Sequence, residues 1–301
     1  MSHPDREVKP ARRARPSASI DTDPELTGDQ DNSAGDTSES VEDAAADAAR
    51  SVDELAGWLR PSTPSLTDGQ VALLARYRDA LHERNKVTNL TAVRTFEGIE
   101  RRLILESLRL LPAFEGRVRA GNRVIDIGTG GGLPGMVLAI ARPDLQFTLL
   151  DATGKKVQFV LDTADALGLA NVRPLQGRAE ELARQIGYRG QYRIAVARAV
   201  SSLPALVELG LPLVMLGGFL LLPKGLEINA ELATAEKAAR LVGGNVVGAS
   251  ILPDVGSSVD TRLVEIEKIV ATPKSYPRRT GIPAHSPLGI PEKKKADRRS
   301  R

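Results

Sequence analysis

The stretch from Val124 to Gly135, VIDIGTGGGLPG, limits what this chain can fold into more than any other. An apolar run of strand length ends at Asp126, glycines alternate at 128, 130 and 132, and Pro134 opens the next helix. Glycine lets the backbone turn sharply and approach a ligand with no side chain between them. The helix that follows offers free N–H groups in its first turn. Asp151 closes the next apolar run, FTLLD, and stands 23 residues after Gly128. A Rossmann-type site has an acid there, at the tip of the second strand, to hold ribose hydroxyls. Strand, glycine loop, helix, strand and acid together are far more specific than a glycine triplet alone.

The surrounding sequence repeats that alternation. Short apolar runs occur at 124–127, 147–150, 171–175, 193–197 and 218–222, with helical stretches at Lys155–Leu167, Arg178–Gln185 and Leu203–Leu213 between them. Such a rhythm predicts an α/β fold with a doubly wound, mostly parallel sheet. A last pair of strands is predicted at 245–252 and 262–270, the second antiparallel with one wet face because RLVEIEKIV alternates. Upstream, Leu66–Asn85 places Val71, Leu74, Tyr77 and Leu81 at helical spacing with Thr67 as N-cap, and Ile99–Leu111 continues the helical pattern. A long uncharged run, Leu209–Pro223, is too short to span a bilayer and is broken by Pro212 and Gly217-Gly218. It reads as a buried helix end, a turn and a buried strand.

Composition narrows the chemistry. There is no cysteine, and the three histidines, His3, His82 and His285, are scattered. That excludes disulfides, thiol nucleophiles and Cys/His zinc sites, and no metal site is expected. With no signal-peptide pattern in MSHPDREVKP, the chain reads as soluble and cytoplasmic, without membrane partners. Charge is unevenly placed. Asp21–Asp47 holds ten acids and no base, whereas from Pro273 onward there are 9 Lys/Arg against 2 Asp/Glu. The expected organisation is a disordered acidic leader over 1–60, a helical extension over 61–121, a catalytic α/β domain over 122–272 and a basic, proline-containing tail over 273–301.

Two ligand classes suit the glycine loop. The dinucleotide fingerprint G-x-G-x-x-G needs a small residue where Leu133 stands, which weighs against a nicotinamide or flavin site. The pattern D-x-G-x-G-x-G instead resembles the first motif of S-adenosylmethionine-dependent methyltransferases. The wider series sharpens this: NLTAVRT (89–95), DIGTGGGLPG (126–135), FTLLDATGKKVQFV (147–160), RAE (178–180), VARAV (196–200) and PKG (223–225) occur in that order. Over about residues 66–271 the chain resembles the RsmG (GidB) family, bacterial methyltransferases that modify N7 of a guanine in 16S ribosomal RNA near the decoding site.

The resemblance implies a seven-stranded methyltransferase sheet, S-adenosyl-L-methionine as cofactor, and 16S rRNA or the small ribosomal subunit as partner, with the protein a monomer. It implies cofactor contacts at Gly128, Gly130, Leu133, Ala179, Glu180 and Arg198, with Asp151 in the ribose role. Arg198 ends the fourth apolar strand and is read either as a ligand group or as a structural ion pair. Lys224 touches RNA phosphate or packs structurally; Asn89 and Thr91 cap a helix or meet substrate. RNA contact is expected through Arg94, Arg101, Arg102, Lys224 and the basic tail, since aromatic residues are only 3% and offer no stacking platform. Where the family has His-x-x-Asp-Ser this chain has Leu103-Ile104-Leu105-Glu106-Ser107, and Arg193 follows Tyr192 where an acid is common. No catalytic residue is assigned. Guanine N7 has a lone pair and no proton, so positioning carries the reaction. An oxidoreductase using NAD(P) and a non-catalytic RNA-binding or assembly factor are the alternatives.

Overall fold

A computed structural model describes residues 49–290, without 64, 199–200, 254 and 257–259. The acidic run Asp21–Asp47 and the basic end Glu292–Arg301 lie outside the described residues.

Seven strands form one sheet: β1 (Arg123–Ile127), β2 (Gln146–Asp151), β3 (Val172–Gln176), β4 (Tyr192–Val196), β5 (Val214–Lys224), β6 (Gly244–Ile251) and β7 (Arg262–Lys268). Their order is β3-β2-β1-β4-β5-β7-β6, and β7 alone runs against its neighbours. Successive residues face opposite layers, as the pleat requires. Val124, Phe147, Leu149, Ile194 and Val196 join one apolar cluster, whereas Ile125, Ile127, Leu150 and Ala195 join the other. Both faces are covered, so these strands read as unbroken apolar runs. Pro174 is tolerated in β3 because β3 is an edge strand.

Five helices serve the first face: α1 (Val52–Leu59), α2 (Asp68–Asn85), α3 (96–108, π-helical over Ile99–Leu105), α4 (Gly135–Ala141) and α5 (Gly154–Leu167). In α2, Thr67 and Gln70 form a capping box, and Val71, Leu74, Tyr77 and Leu81 are fully buried as their spacing predicts. The Gln70 amide also donates to the carbonyls of Ile140 and Ala141, both at 3.0 Å, satisfying the end of α4. On the other face lie α6 (Ala179–Leu182), α7 (Leu203–Gly210) and α8 (Asn229–Val242). A short helix, α9 (Ile282–His285), follows the sheet. Among the described residues no helix is long and apolar enough to cross a membrane.

Four expectations need correction. Residues 52–59 are helical rather than part of a disordered leader: Ser51 and Glu54 form a capping box, and Leu55 and Leu59 are fully buried. Residues 273–290 are not a free tail: Arg278 grips buried Glu208, and Leu288 packs with the second cluster. The turn predicted at Gly217-Gly218 is a bulge inside β5, with the turn itself made by a 3-10 segment, Leu211–Leu213. Gly218 is required there because a Cβ would lie 2.6 Å from the Arg193 carbonyl oxygen. Finally, β7 is antiparallel as predicted, but it is an interior strand whose polar face is only partly exposed. Leu263 enters one cluster, Val264 and Ile266 the other, and Glu265 accepts from Arg117 at 2.6 Å.

The first helical layer is pinned by a buried charge cluster. Glu100 is fully buried and accepts from Arg78 Nη1 at 2.6 Å, with Arg50 on its other oxygen. Replacing Glu100 by Ala strands the Arg78 guanidinium inside the layer, so urea denaturation should show a loss of about 3 kcal/mol. A loss below about 1 kcal/mol would show that the pair is not a clamp.

Candidate active site

The parallel strands open a crevice where the connections from β1 and β4 leave in opposite directions, the place where open α/β sheets bind ligands. A cleft of about 880 Å³ lies there. Two strand-end carboxylates shape it. Asp126, at 0% exposure, accepts from the Thr129 hydroxyl at 2.7 Å and the Gly135 amide at 2.9 Å. Asp151 accepts from the Gly130 amide at 2.9 Å and from the Thr153 amide at 2.8 Å. The glycine loop is thus pulled onto both strands through its own backbone. Gly130 takes a φ of +56°, a left-handed conformation that suits glycine.

The loop is also held from outside the sheet. The Tyr77 hydroxyl, on α2, donates to the Gly131 carbonyl at 2.8 Å. Asn85, at the end of α2, accepts from the amides of Leu90 and Thr91 at 3.0 and 3.1 Å and donates to the Val93 carbonyl at 2.8 Å. That fixes the 89–93 segment along the cleft. Thr91 lines the cleft, and its hydroxyl accepts from the Val93 amide at 3.2 Å; Asn89 accepts from Arg94 at 2.9 Å.

Gly128, Gly130, Leu133, Asp151, Ala179, Glu180 and Arg198 all line this one cleft. Their side chains have different duties. The Glu180 carboxylate accepts from the Gly281 amide at 2.9 Å, leaving the first turn of α6 to face the cleft with backbone. Arg198 makes no hydrogen bond or ion pair with the described residues. Burial holds its guanidinium below the ordinary value, against the pull of Asp126, Tyr77 and Glu106. The ion-pair reading of Arg198 therefore has no partner among those residues, and a cation without one at a strand tip is suited to an anionic ligand group.

The expected RNA contacts divide. Arg102 and Lys224 line the cleft, and the Lys224 ammonium donates to the Ser201 carbonyl. Arg94 instead donates to the Asn85 carbonyl at 2.7 Å, and Arg101 pairs with Glu97 at 2.9 Å, so both serve their local segments. Both departures from the family pattern have partners within the fold, and Glu106 also lines the cleft. Glu106 accepts from the Thr261 hydroxyl at 2.5 Å and pairs with Arg109, and Arg193 donates to the Gly217 carbonyl at 2.7 Å, pinning the β5 bulge. Among the described residues no group of three or more His, Cys, Asp or Glu could hold a metal. Sequence reasoning missed Tyr77 and Asn85 as loop supports. Their signal was present, in two polar groups on the buried stripe of an amphipathic helix.

Sheet order, glycine loop and strand-tip acid define a methyltransferase of the Rossmann-like kind. Residues 70–252 match the family model for GidB, rRNA small subunit methyltransferase G. A ribosomal RNA small subunit methyltransferase G from Deinococcus deserti is 45% identical over 210 residues, 69% of this chain and 84% of that protein. One from Moorella thermoacetica is 38% identical over 234 residues, 78% of this chain and 97% of that protein. The solved antibiotic-resistance methyltransferase Kmr aligns with a TM-score of 0.40 and 21% identity over 54% of this chain and 93% of that one. The chain belongs to the family of small-subunit ribosomal RNA methyltransferase G. The oxidoreductase reading is thereby set aside.

Burial pushes the Asp126 carboxyl up to about 6, while Thr129, Gly135 and Arg198 pull it down. A raised folded value means the folded protein binds the proton more tightly than the unfolded chain. Asp126 therefore stabilises most below about pH 4 and loses that contribution as pH rises to about 6. Thermal or urea unfolding across pH 4–7 should show a falling limb, on the order of 2–3 kcal/mol, that Asp126→Asn removes. Parallel pH profiles for the two proteins would contradict this assignment.

Proposed function

We propose that the protein transfers a methyl group from S-adenosyl-L-methionine to N7 of a guanine in 16S ribosomal RNA near the decoding site. The observation that carries the cofactor reading is Arg198, a guanidinium that makes no hydrogen bond or salt bridge with the described residues and lines the same cleft as Asp151. Each part of the cleft fits one part of that cofactor. Arg198 takes the amino-acid carboxylate, Asp151 the ribose hydroxyls, and the backbone at Ala179-Glu180 the adenine, with Leu133 packing alongside. When bound, the cofactor supplies a methyl group on a positively charged sulfur.

The residues need do little acid–base work. Guanine N7 has no proton to remove, so the chain's task is to hold base and methyl donor in line, where positioning contributes about 7–11 kcal/mol. The modified ring becomes cationic, and an unneutralised arginine beside it would oppose the reaction. A carboxylate on Arg198 removes that conflict. Arg102 and Lys224, at the cleft, suit the RNA backbone. Ribosomal RNA as substrate places the reaction in the cytoplasm.

Nucleoside mass spectrometry tests this. Small subunits from cells lacking the gene, incubated with protein and S-adenosylmethionine, should gain one 7-methylguanosine per 16S rRNA. Cofactor binding without that gain would favour a non-catalytic RNA-binding factor. In the same assay Asp151→Ala should weaken S-adenosylhomocysteine binding by 1–3 kcal/mol, roughly 5- to 150-fold, as a charged acceptor and a loop brace are lost. Unchanged affinity in the folded variant would remove Asp151 from the ribose role.

A further inference from the structure

We infer that the loop 278–286 forms the outer wall of the adenosine end of the cleft, and that Glu180 acts on the ligand by holding this wall. The inference deepens the cofactor reading and rests on it.

The loop is fastened at both ends by one side chain. Arg278 places its amide and its Nε on Glu208 Oε1 at 2.7 and 3.0 Å and its Nη2 on Oε2 at 2.7 Å. Glu208, on α7, is fully buried. The same Nη2 donates to the Ser286 carbonyl at 2.7 Å, so the guanidinium closes the loop on itself. A charge-assisted pair whose carboxylate is fully buried is strong. The chain leading into it is fixed as well, since Arg189 donates to the carbonyls of Tyr276 and Thr272, both at 2.9 Å.

From that anchor the loop crosses to the cleft. Its tip meets α6, where the Gly281 amide donates to Glu180 at 2.9 Å and the Thr280 hydroxyl to Glu181 at 3.2 Å. Gly281 and Ala284 line the same cleft as Asp151 and Ala179. The loop thus offers the cleft no side chain larger than a methyl group at these two positions. Gly281 has a φ of +84°, where another residue would be strained. A small-residue wall opposite backbone groups suits a flat, uncharged ring, as adenine is. The Glu180 carboxylate, with its oxygen on the Gly281 amide, is a positioning group for this wall.

If wall and ligand stabilise one another, each must report on the other. Calorimetry with S-adenosylhomocysteine is expected to show at least tenfold weaker binding for Arg278→Ala and for Glu180→Ala, with the sheet's circular dichroism retained. The double variant should be no weaker than the worse single one, because both changes release the same loop. Arg278→Lys should recover part of the affinity. In the unaltered protein, saturation with S-adenosylhomocysteine should slow hydrogen exchange at amides 279–286. Wild-type affinity in a folded Arg278→Ala protein, additive losses in the double variant, or unchanged exchange at 279–286 on saturation would each overturn the inference. Should Arg278→Ala fail to fold, the exchange measurement on the unaltered protein decides. Failure of the unaltered protein to bind S-adenosylhomocysteine would instead overturn the cofactor reading.

Discussion

The glycine loop keeps its shape because two carboxylates at the ends of neighbouring strands hold it by the backbone. Asp126 takes the Gly135 amide and the Thr129 hydroxyl; Asp151 takes the Gly130 amide. The bond at Gly135 depends on glycine there. A Cβ on Gly135 would lie 2.2 Å from Leu149 Cδ2 and 2.9 Å from Asp126. Sheet, loop and helix α4 are therefore one unit. The cleft takes its form from it, with the Asp151 carboxylate fixed at its edge by the Gly130 and Thr153 amides.

That unit explains why the site is legible in the sequence. The spacing from Gly128 to Asp151 follows from strand and helix lengths, and strands buried on both faces announce themselves as apolar runs. The seven cleft residues named from the pattern do meet in one place. One detail reads differently in three dimensions. In the dinucleotide fingerprint the third glycine gives close helix–strand packing, and Leu133 stands in that place here. Here Gly135, two residues later, has that job, while Gly132 packs under Tyr77 and Met136.

What the sequence concealed has physical reasons too. Helix α8 buries Ala235, Ala238, Ala239 and Val242, a face made mostly of alanine, so its apolar stripe barely stands out from its surroundings. The segment 273–290 is rich in proline and arginine and looks like a solvated end. It is ordered by bonds invisible to periodicity: one buried carboxylate, Glu208, and the carbonyls that Arg184 and Arg189 satisfy. A buried glutamate in the apolar run of α7 was the available hint, because such a group needs a partner from elsewhere in the chain.

Arg198, a largely buried guanidinium at the tip of β4, makes no hydrogen bond or salt bridge with the described residues, although Asp126 and Glu106 attract it from further off. We propose that a ligand carboxylate completes its coordination. Calorimetry can isolate that contact by comparing S-adenosylhomocysteine with 5′-methylthioadenosine, which keeps the nucleoside and lacks the amino acid. The unaltered protein should prefer S-adenosylhomocysteine by at least tenfold, about 1.4 kcal/mol, and Arg198→Ala should erase the preference while leaving 5′-methylthioadenosine affinity in place. An undiminished preference in the folded variant would contradict it.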